Sequence, residues 1–235
     1  MMDFPFAPRN GKFSLKMHEK TTEEFARALD RHAAEFGVRL EREQTAQLCA
    51  YYEIFATWNA RLHLVAPCSP TEFATRHVLE SLTAAAHFPP NARVTDVGSG
   101  AGLPLIPCLI VRPDAQGTFV EASRKKAIFL REALRATAVG RAQVIAERFE
   151  NLPSPAADVI TCRALERFSR MLPQLIKWAP PASALLLFGG PELSAQLNDL
   201  GVPHERAALP RSRQRLLLIV PPRSDEAPGR ESDHR

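Results

Sequence analysis

The sequence predicts an α/β protein: a seven-stranded, mostly parallel sheet with helices on both faces, an antiparallel hairpin at its C-terminal end, and a helical segment in front. Three observations predict it. From Arg93 onward, short apolar runs of strand length alternate with helical patterns, which argues for parallel strands joined by crossover helices. The last two apolar runs, 202–208 and 215–220, leave no room for a helix between them, so they pair as a hairpin. Before Pro90 the apolar residues recur at helical rather than strand spacing.

Each element has its own signal. Residues 1–20 contain Pro5, Pro8 and Gly11 with little periodicity, and are expected to form a loose arm. Thr21 and Glu24 make a capping box and Gly37 a stop, predicting a helix over 22–36. A second helix covers 43–62, because Leu48, Tyr51, Tyr52, Phe55, Trp58 and Leu62 follow the i, i+3, i+4, i+7 pattern. A third starts at Ser69, with Pro70 at the first helical position and Glu72 three after the cap, and Pro89-Pro90 closes it. Strands follow at 93–97, 117–121, 141–146, 157–162 and 183–188. Helices are expected at 104–111, 123–138, 166–179 and 191–200. The expected organisation is an arm over 1–20, helices over 21–90, a core over 91–220 and a disordered tail over 221–235, rich in Pro, Ser and charge.

Composition excludes several classes. At 235 residues the chain holds one large domain or one domain with an extension. Its 45% hydrophobic and 24% charged residues exclude wholesale disorder, collagen and coiled coil. No apolar run is long enough to span a bilayer, and residues 1–20 do not read as a signal peptide. Cys49, Cys68, Cys108 and Cys162 lie far apart with no CxxC, so neither a zinc site nor a disulfide framework is indicated. Buried, reduced cysteines in a cytoplasmic protein are the expectation. The net charge of +4 is compatible with nucleic acid and does not demand it.

The most informative segment is Thr95-Asp96-Val97-Gly98-Ser99-Gly100-Ala101-Gly102-Leu103-Pro104, between a strand and a helix. In an open α/β sheet this is where a ligand-binding loop belongs. The glycines fall as GxGxG, not as the dinucleotide fingerprint GxGxxG, and no GK[ST] follows. Asp96, just ahead of the loop, suits a cationic ligand better than a pyrophosphate. S-adenosylmethionine carries an ammonium, a carboxylate and a sulfonium. Asp96 can bind the ammonium, and backbone N–H groups at the helix start can bind the carboxylate. The alternative is a glycine turn without a ligand.

Later strand ends add candidates. Glu121 ends the second strand, where a carboxylate can accept two hydrogen bonds from a ribose, although a dinucleotide enzyme also places an acid there. After the third strand, Phe149 can pack on an adenine face while Glu150 reads its amine; a core ring is the alternative for Phe149. Arg163 closes the fourth strand, as a phosphate or substrate partner or as a surface ion pair. His63 and His77 are candidate substrate contacts or satisfied histidines. Arg124, Lys125 and Lys126, with Arg131 and Arg135, make either an RNA-facing patch or a solvated helix face. Arg211, Arg213 and Arg215 form a second basic strip.

Several separated blocks resemble the ribosomal RNA small-subunit methyltransferase G family, also called glucose-inhibited division protein B. They are Asp96–Pro104 with Ile106-Pro107 and Val111-Arg112-Pro113, then Lys125-Lys126 with Phe129-Leu130, and Cys162-Arg163-Ala164. Trp58-Asn59, Arg61-Leu62 and Leu64 match WNxRxNL, while His77 and Ser81-Leu82 match RHxxDSL. The resemblance covers roughly 45–190. It implies the class I S-adenosylmethionine-dependent methyltransferase fold, Rossmann-like, with N-terminal helices. It implies S-adenosyl-L-methionine as cofactor, and N7 of a guanine in small-subunit ribosomal RNA, or in the subunit itself, as acceptor. Family cofactor contacts carry over to Gly98, Leu103, Phe149, Glu150 and Arg163, which Asp96, Gly100 and Glu121 join by the logic of the fold. The substrate-side set is Arg124, Lys125, Lys126 and His77. The chain departs from the family pattern at His63, Glu80, Leu105 and Gly189, and Leu105 and Gly189 are expected to face the acceptor pocket or RNA.

Guanine N7 offers a lone pair and no proton to remove, so transfer needs no obligatory base or nucleophile. No catalytic residue and no metal ligand is therefore assigned. Cys162 at a strand end reads as core rather than as a cytosine-attacking thiolate. The absence of [DN]PP[YFW] after the fourth strand argues against amino-directed adenine methylation.

Overall fold

The computed structural model describes residues 11–163 and 168–223. The first half of the expected arm, the tail from 224 and the start of the helix expected from 166 lie outside the described residues. Helix α1 (Gly11–His32) begins well before the capping box at Thr21. Residues 12–20 contain no proline or glycine, so nothing in them stops a helix from growing backwards. Thr21 and Glu24 then stand inside the helix. The Glu24 carboxylate accepts a hydrogen bond from Thr71 Oγ1 instead (3.0 Å). Gly37, at φ +67°, ends the following 3-10 turn as expected, with its N–H on the Ala33 and Ala34 carbonyls.

Helix α2 (Arg42–Leu62) starts with a reciprocal cap between Glu41 and Gln44. Helix α3 (Pro70–Glu72) starts under Ser69, whose Oγ accepts the Glu72 N–H at 3.1 Å. Periodicity predicts one uniform helix from there to Pro89. The structure instead widens into a π-helical stretch over Phe73–Leu79, returns to α-helix in α4 (Glu80–Leu82), and tightens to a 3-10 turn over Thr83–His87. A π stretch inside a helix turns backbone groups away from the regular ladder, and Arg76 and His77 lie in it.

The sheet contains β1 (Arg93–Val97), β2 (Gln116–Val120), β3 (Ala142–Ile145), β4 (Val159–Arg163), β5 (Ala184–Gly189), β6 (Glu205–Ala208) and β7 (Leu216–Val220). Their order is β3-β2-β1-β4-β5-β7-β6. The first five are parallel. β7 runs antiparallel between β5 and β6, so the hairpin joins the sheet through its second strand. The crossovers are α5 (Leu105–Val111), α6 (Arg124–Ala136), α7 (Phe168–Trp178) and α8 (Pro191–Asp199). Strand order reverses between β1 and β4, which places a crevice beyond the C-terminal ends of those strands.

Two apolar layers cover the sheet. α1 and α2, the segment 70–87, α5 and α6 bury Phe25, Leu48, Phe73, Leu79, Ile106 and Phe129 on one face. α7 and α8 bury Leu172, Leu175, Leu193 and Leu197 on the other. The N-terminal helices therefore share a core with the sheet. Arg112 fastens the join. Its guanidinium donates to the carbonyls of Ala85, Phe88 and Pro89 and forms a two-point pair with Asp114. Arg112 and the Asn91 N–H hold the Asp114 carboxyl well below the usual carboxylate range.

Two expectations about the acceptor side are corrected. Leu105 is fully buried and packs in the layer between the helices and the sheet, not toward a pocket or RNA. It is the first residue of α5, where an apolar side chain reaches back onto β2 near Gly117. At Gly189, a Cβ would lie 2.5 Å from Leu193 Cδ2, so α8 occupies the space that a side chain there would need. The cysteines divide: Cys108 and Cys162 are buried, whereas Cys49 and Cys68 are only half-buried.

Phe73 is the centre of the N-terminal aromatic cluster, stacked on Phe55 at 4.0 Å and tilted against Phe25, Tyr51 and Tyr52. Phe73→Ala is expected to lower unfolding free energy by about 3–5 kcal/mol in a denaturant titration. A loss below ~1 kcal/mol would show that the cluster collapses around the gap.

Candidate functional site

The loop after β1 is built from residues that only glycine serves well. Gly98, Gly100 and Gly102 adopt φ of +70°, +48° and +82°, where side chains are disfavoured. At Gly102 a Cβ would also strike Ile106 Cδ1 at 2.4 Å. Gly100 differs: the nearest atom to its missing Cβ is the Gly98 carbonyl oxygen at 3.7 Å. Backbone at Gly100 can thus be approached closely by a ligand. The amides of Gly98 and Ser99 donate to the Val120 carbonyl, at 2.9 and 3.3 Å, which ties the loop to the end of β2.

Asp96 is fully buried beneath this loop. Thr161 Oγ1, from the adjacent strand, donates to Asp96 Oδ1 at 2.7 Å. Asp96 Oδ2 has no hydrogen-bond partner among the described residues. Burial pushes the carboxyl up to about 7, opposed by the hydrogen bond from Thr161 and by the nearby Ser99 hydroxyl, which donates to the Asp96 main-chain carbonyl at 3.0 Å, and reinforced by the neighbouring Glu121. An unsatisfied buried carboxylate oxygen under a bare loop fits a ligand that brings an ammonium.

Glu121 holds the loop from the β2 side. One carboxylate oxygen accepts the Gly100 N–H and the other the Ser123 N–H, both at 2.8 Å. A carboxylate has roughly four acceptor positions, so two remain for ligand hydroxyls. From the other side, Tyr51 of α2 donates its hydroxyl to the Ala101 carbonyl at 2.6 Å.

A second cluster follows β4. Arg163 donates to the Arg76 carbonyl (2.6 Å), Ser81 Oγ (3.3 Å) and Glu80 Oε2 (3.0 Å), and its guanidinium lies 5.1 Å from the Phe188 ring centroid. Glu80, with its side chain 1% exposed, also pairs with Arg215 at 2.6 Å. One buried carboxylate is thus bracketed by two arginines. Burial lowers the Arg163 guanidinium, and Glu80 opposes that. His77 packs against Phe73 at 5.4 Å. Its pKa is lowered to about 3, first by burial and then by Arg163, Arg76 and Arg215, so its imidazole is neutral at physiological pH.

Comparison with known proteins now decides the family. Residues 44–201 match the family described as rRNA small subunit methyltransferase G. A protein named ribosomal RNA small subunit methyltransferase G from Xanthomonas campestris pv. campestris (strain 8004) is 38% identical over 173 residues, covering 73% of this chain and 76% of that relative. The chain belongs to the rRNA small subunit methyltransferase G family. A protein of the same name from Sorangium cellulosum (strain So ce56) is 34% identical over 173 residues, 71% of this chain and 72% of the relative. Among solved structures, a SAM-dependent methyltransferase from Aquifex aeolicus superposes with a TM-score of 0.51 at 16% identity. That match covers 63% of this chain and 93% of that one, and concerns the fold alone. The fold is that of the class I S-adenosylmethionine-dependent methyltransferases.

Within this family member, the structure brings Asp96, Gly98, Gly100 and Glu121 together around one loop, with Leu103 buried at its far end. Other expected residues stand elsewhere. The Phe149 ring is 4% exposed and packs edge-on against Trp178 at 5.4 Å, the core placement. Glu150, on the same turn, lies 4.0 Å from Arg148. Arg163 is on the same sheet face as Asp96, with its guanidinium directed at Glu80 and the π stretch. Arg124 and Lys125 are exposed and Lys126 half-buried, in the first turn of α6 under the Ser123 cap. His63 is exposed at the C-cap of α2. Arg211 pairs with Glu35 and His32 at the end of α1. No group of three or more His, Cys, Asp or Glu could hold a metal ion among the described residues.

Sequence reasoning missed Tyr51, Glu80 and Thr161 as site-building residues. Tyr51 fits the apolar face of α2, and nothing local distinguishes its hydroxyl. Glu80 carried a signal, a carboxylate among apolar helix residues, yet its two partners are 83 and 135 residues away.

Two outcomes follow from this geometry. Because Asp96 titrates near 7 in the folded state against an ordinary 3.8, the folded protein keeps a proton that the unfolded chain has released between those values. Stability should therefore fall as pH rises from about 4 to about 7, and Asp96→Asn should remove most of that slope in denaturant titrations. The same slope in the variant would assign it to other groups. Separately, Glu80→Ala leaves Arg163 and Arg215 facing each other without a counter-charge, and should cost about 3–5 kcal/mol by denaturant titration. A cost under ~1 kcal/mol would mean that water replaces the carboxylate there.

Proposed function

We propose that this chain transfers a methyl group from S-adenosylmethionine to N7 of a guanine in small-subunit ribosomal RNA, in the cytoplasm. The observation that carries the reading is the loop itself. It presents three left-handed glycines, an open backbone at Gly100, and a buried Asp96 oxygen lacking a partner. Membership of the family named for rRNA small-subunit methylation supplies the acceptor class.

The residues fit the cofactor. Asp96 would hold the ammonium, the backbone from Gly98 to Leu103 would line the cofactor, and Glu121 would offer its remaining acceptor positions to the ribose hydroxyls. Glu150 stands at the next strand end for the base, with Phe149 holding its turn against Trp178. Arg163 joins the set through the shared sheet face, positioned by Glu80. When bound, S-adenosylmethionine supplies an electrophilic methyl group on a sulfonium. The protein's work is then alignment and exclusion of water, since the N7 lone pair needs no base to free it. A buried Asp96 paired to Thr161 is suited to the cation present before transfer. On the acceptor side, the exposed Arg124 and Lys125 and the half-buried Lys126 form a basic turn for phosphate contacts, and His77 contributes a neutral ring.

The test is transfer of labelled methyl from S-adenosylmethionine to unmodified small ribosomal subunits or their RNA, with nucleoside mass spectrometry of the product. Label in 7-methylguanosine is expected. Gly98→Val should abolish cofactor binding by calorimetry, because a β-branched residue resists φ +70°. Label on another nucleoside, or full affinity in a folded Gly98→Val variant, would overturn the reading.

A further inference from the structure

We infer that Tyr51 of α2 is a positioning residue for the cofactor loop, setting its shape through the Ala101 carbonyl. The inference rests on the reading of that loop as the S-adenosylmethionine site. Ala101 sits between Gly100 and Gly102, both at positive φ. The Gly102 N–H bonds back to Ser99 within the loop at 2.6 Å. Among the described residues, the other hydrogen bonds on 98–101 come from the strand side: the Gly98 and Ser99 amides on the Val120 carbonyl, Ser99 Oγ on the Asp96 carbonyl, and Gly100 on Glu121. Tyr51 is the hold from the opposite side, at 2.6 Å and across 50 residues of sequence. The Gly100 N–H is held toward β2 and the Ala101 carbonyl toward α2, so the Gly100–Ala101 peptide between them is flanked by a hold on each side.

Tyr51 is built for that task. It is 0% exposed, with its ring against Phe73 at 6.0 Å. Burial drives its hydroxyl far above the ordinary tyrosine value, with Arg163 opposing and Asp96 adding to the rise, so it remains a proton donor at any working pH. The ring is locked in the aromatic cluster that joins α1, α2 and the segment 70–87. Beyond the apolar packing of Ala101 and Leu103, the hydrogen bond that ties the N-terminal helices to the cofactor loop is made by this phenol. Phenylalanine at this position keeps the ring and removes only the donor, leaving a buried carbonyl unsatisfied.

The experiment compares Tyr51→Phe with the parent and with Tyr52→Phe, a neighbour in the same cluster whose ring stacks on Phe25. Calorimetry should show S-adenosylmethionine affinity weakened roughly tenfold in Tyr51→Phe, and within about twofold of parent in Tyr52→Phe. In methyl transfer to small subunits, Tyr51→Phe should raise KM for the cofactor while kcat at saturating cofactor stays within about twofold, the split expected for loss of ground-state positioning. Incorporating p-aminophenylalanine at position 51 restores a donor and should recover most of the affinity. Unchanged affinity in Tyr51→Phe overturns the inference, as does a loss that p-aminophenylalanine does not recover. A Tyr51→Phe variant that loses its fold also overturns it, since the role would be global. Gly98→Val separates the two levels: if it too leaves affinity intact, the loop is not the cofactor site; if it abolishes binding while Tyr51→Phe does not weaken it, only the role of Tyr51 fails.

Discussion

A loop almost without side chains cannot hold its own shape, and this fold is arranged around that constraint. Gly98, Gly100 and Gly102 take left-handed conformations within five residues, and glycine pays the largest entropy on ordering. The restraint is imported. β2 contributes the Val120 carbonyl and the Glu121 carboxylate, and α2 contributes the Tyr51 hydroxyl. β4 contributes Thr161, which holds the acid beneath the loop. Elements that are remote in sequence therefore converge on one short stretch of backbone, and the helical segment shares its core with the sheet partly for that reason.

Charge along the C-terminal edge of the sheet is divided. Carboxylates stand near the end of β1 and after β2 and β3, in Asp96, Glu121 and Glu150. Arginines flank β4 and β7, in Arg163 and Arg215. The arginine side carries its own counter-charge in Glu80, one methylene longer than the Asp of the family pattern, and a buried carboxylate between two guanidinia satisfies all three groups at once. The π stretch over Phe73–Leu79 completes this arrangement by releasing the Arg76 carbonyl to Arg163. His77, in the same stretch, stays neutral because it is largely buried and three arginines add to the effect.

Much of this was legible in the residues. The cap at Ser69, the stop at Gly37 and the apolar runs placed most elements within a residue or two, because these signals act over a single turn. The glycine spacing and Asp96 located the site for the same reason: backbone conformation and nearby charge are local demands. Where reading failed, a distant partner decided. Thr21–Glu24 looked like a helix start, yet the helix begins at Gly11 and Glu24 serves Thr71. Leu105 looked like a pocket residue, yet the start of α5 turns it onto β2.

The sequence by itself determined the α/β class, the strand inventory, the hairpin, the glycine loop and the family to which those blocks belong. Periodicity and glycine spacing express constraints that each residue meets with its near neighbours. Only the tertiary structure decided which helix holds the loop, that β7 lies between β5 and β6, and that Glu80 joins Arg163 to Arg215. Those facts depend on partners that no local signal names: the Tyr51 bond spans 50 residues, and the two Glu80 pairs span 83 and 135. A hydroxyl on an apolar helix face or a carboxylate among alanines and leucines looks the same whether its partner exists or not, and only the folded chain supplies the partner.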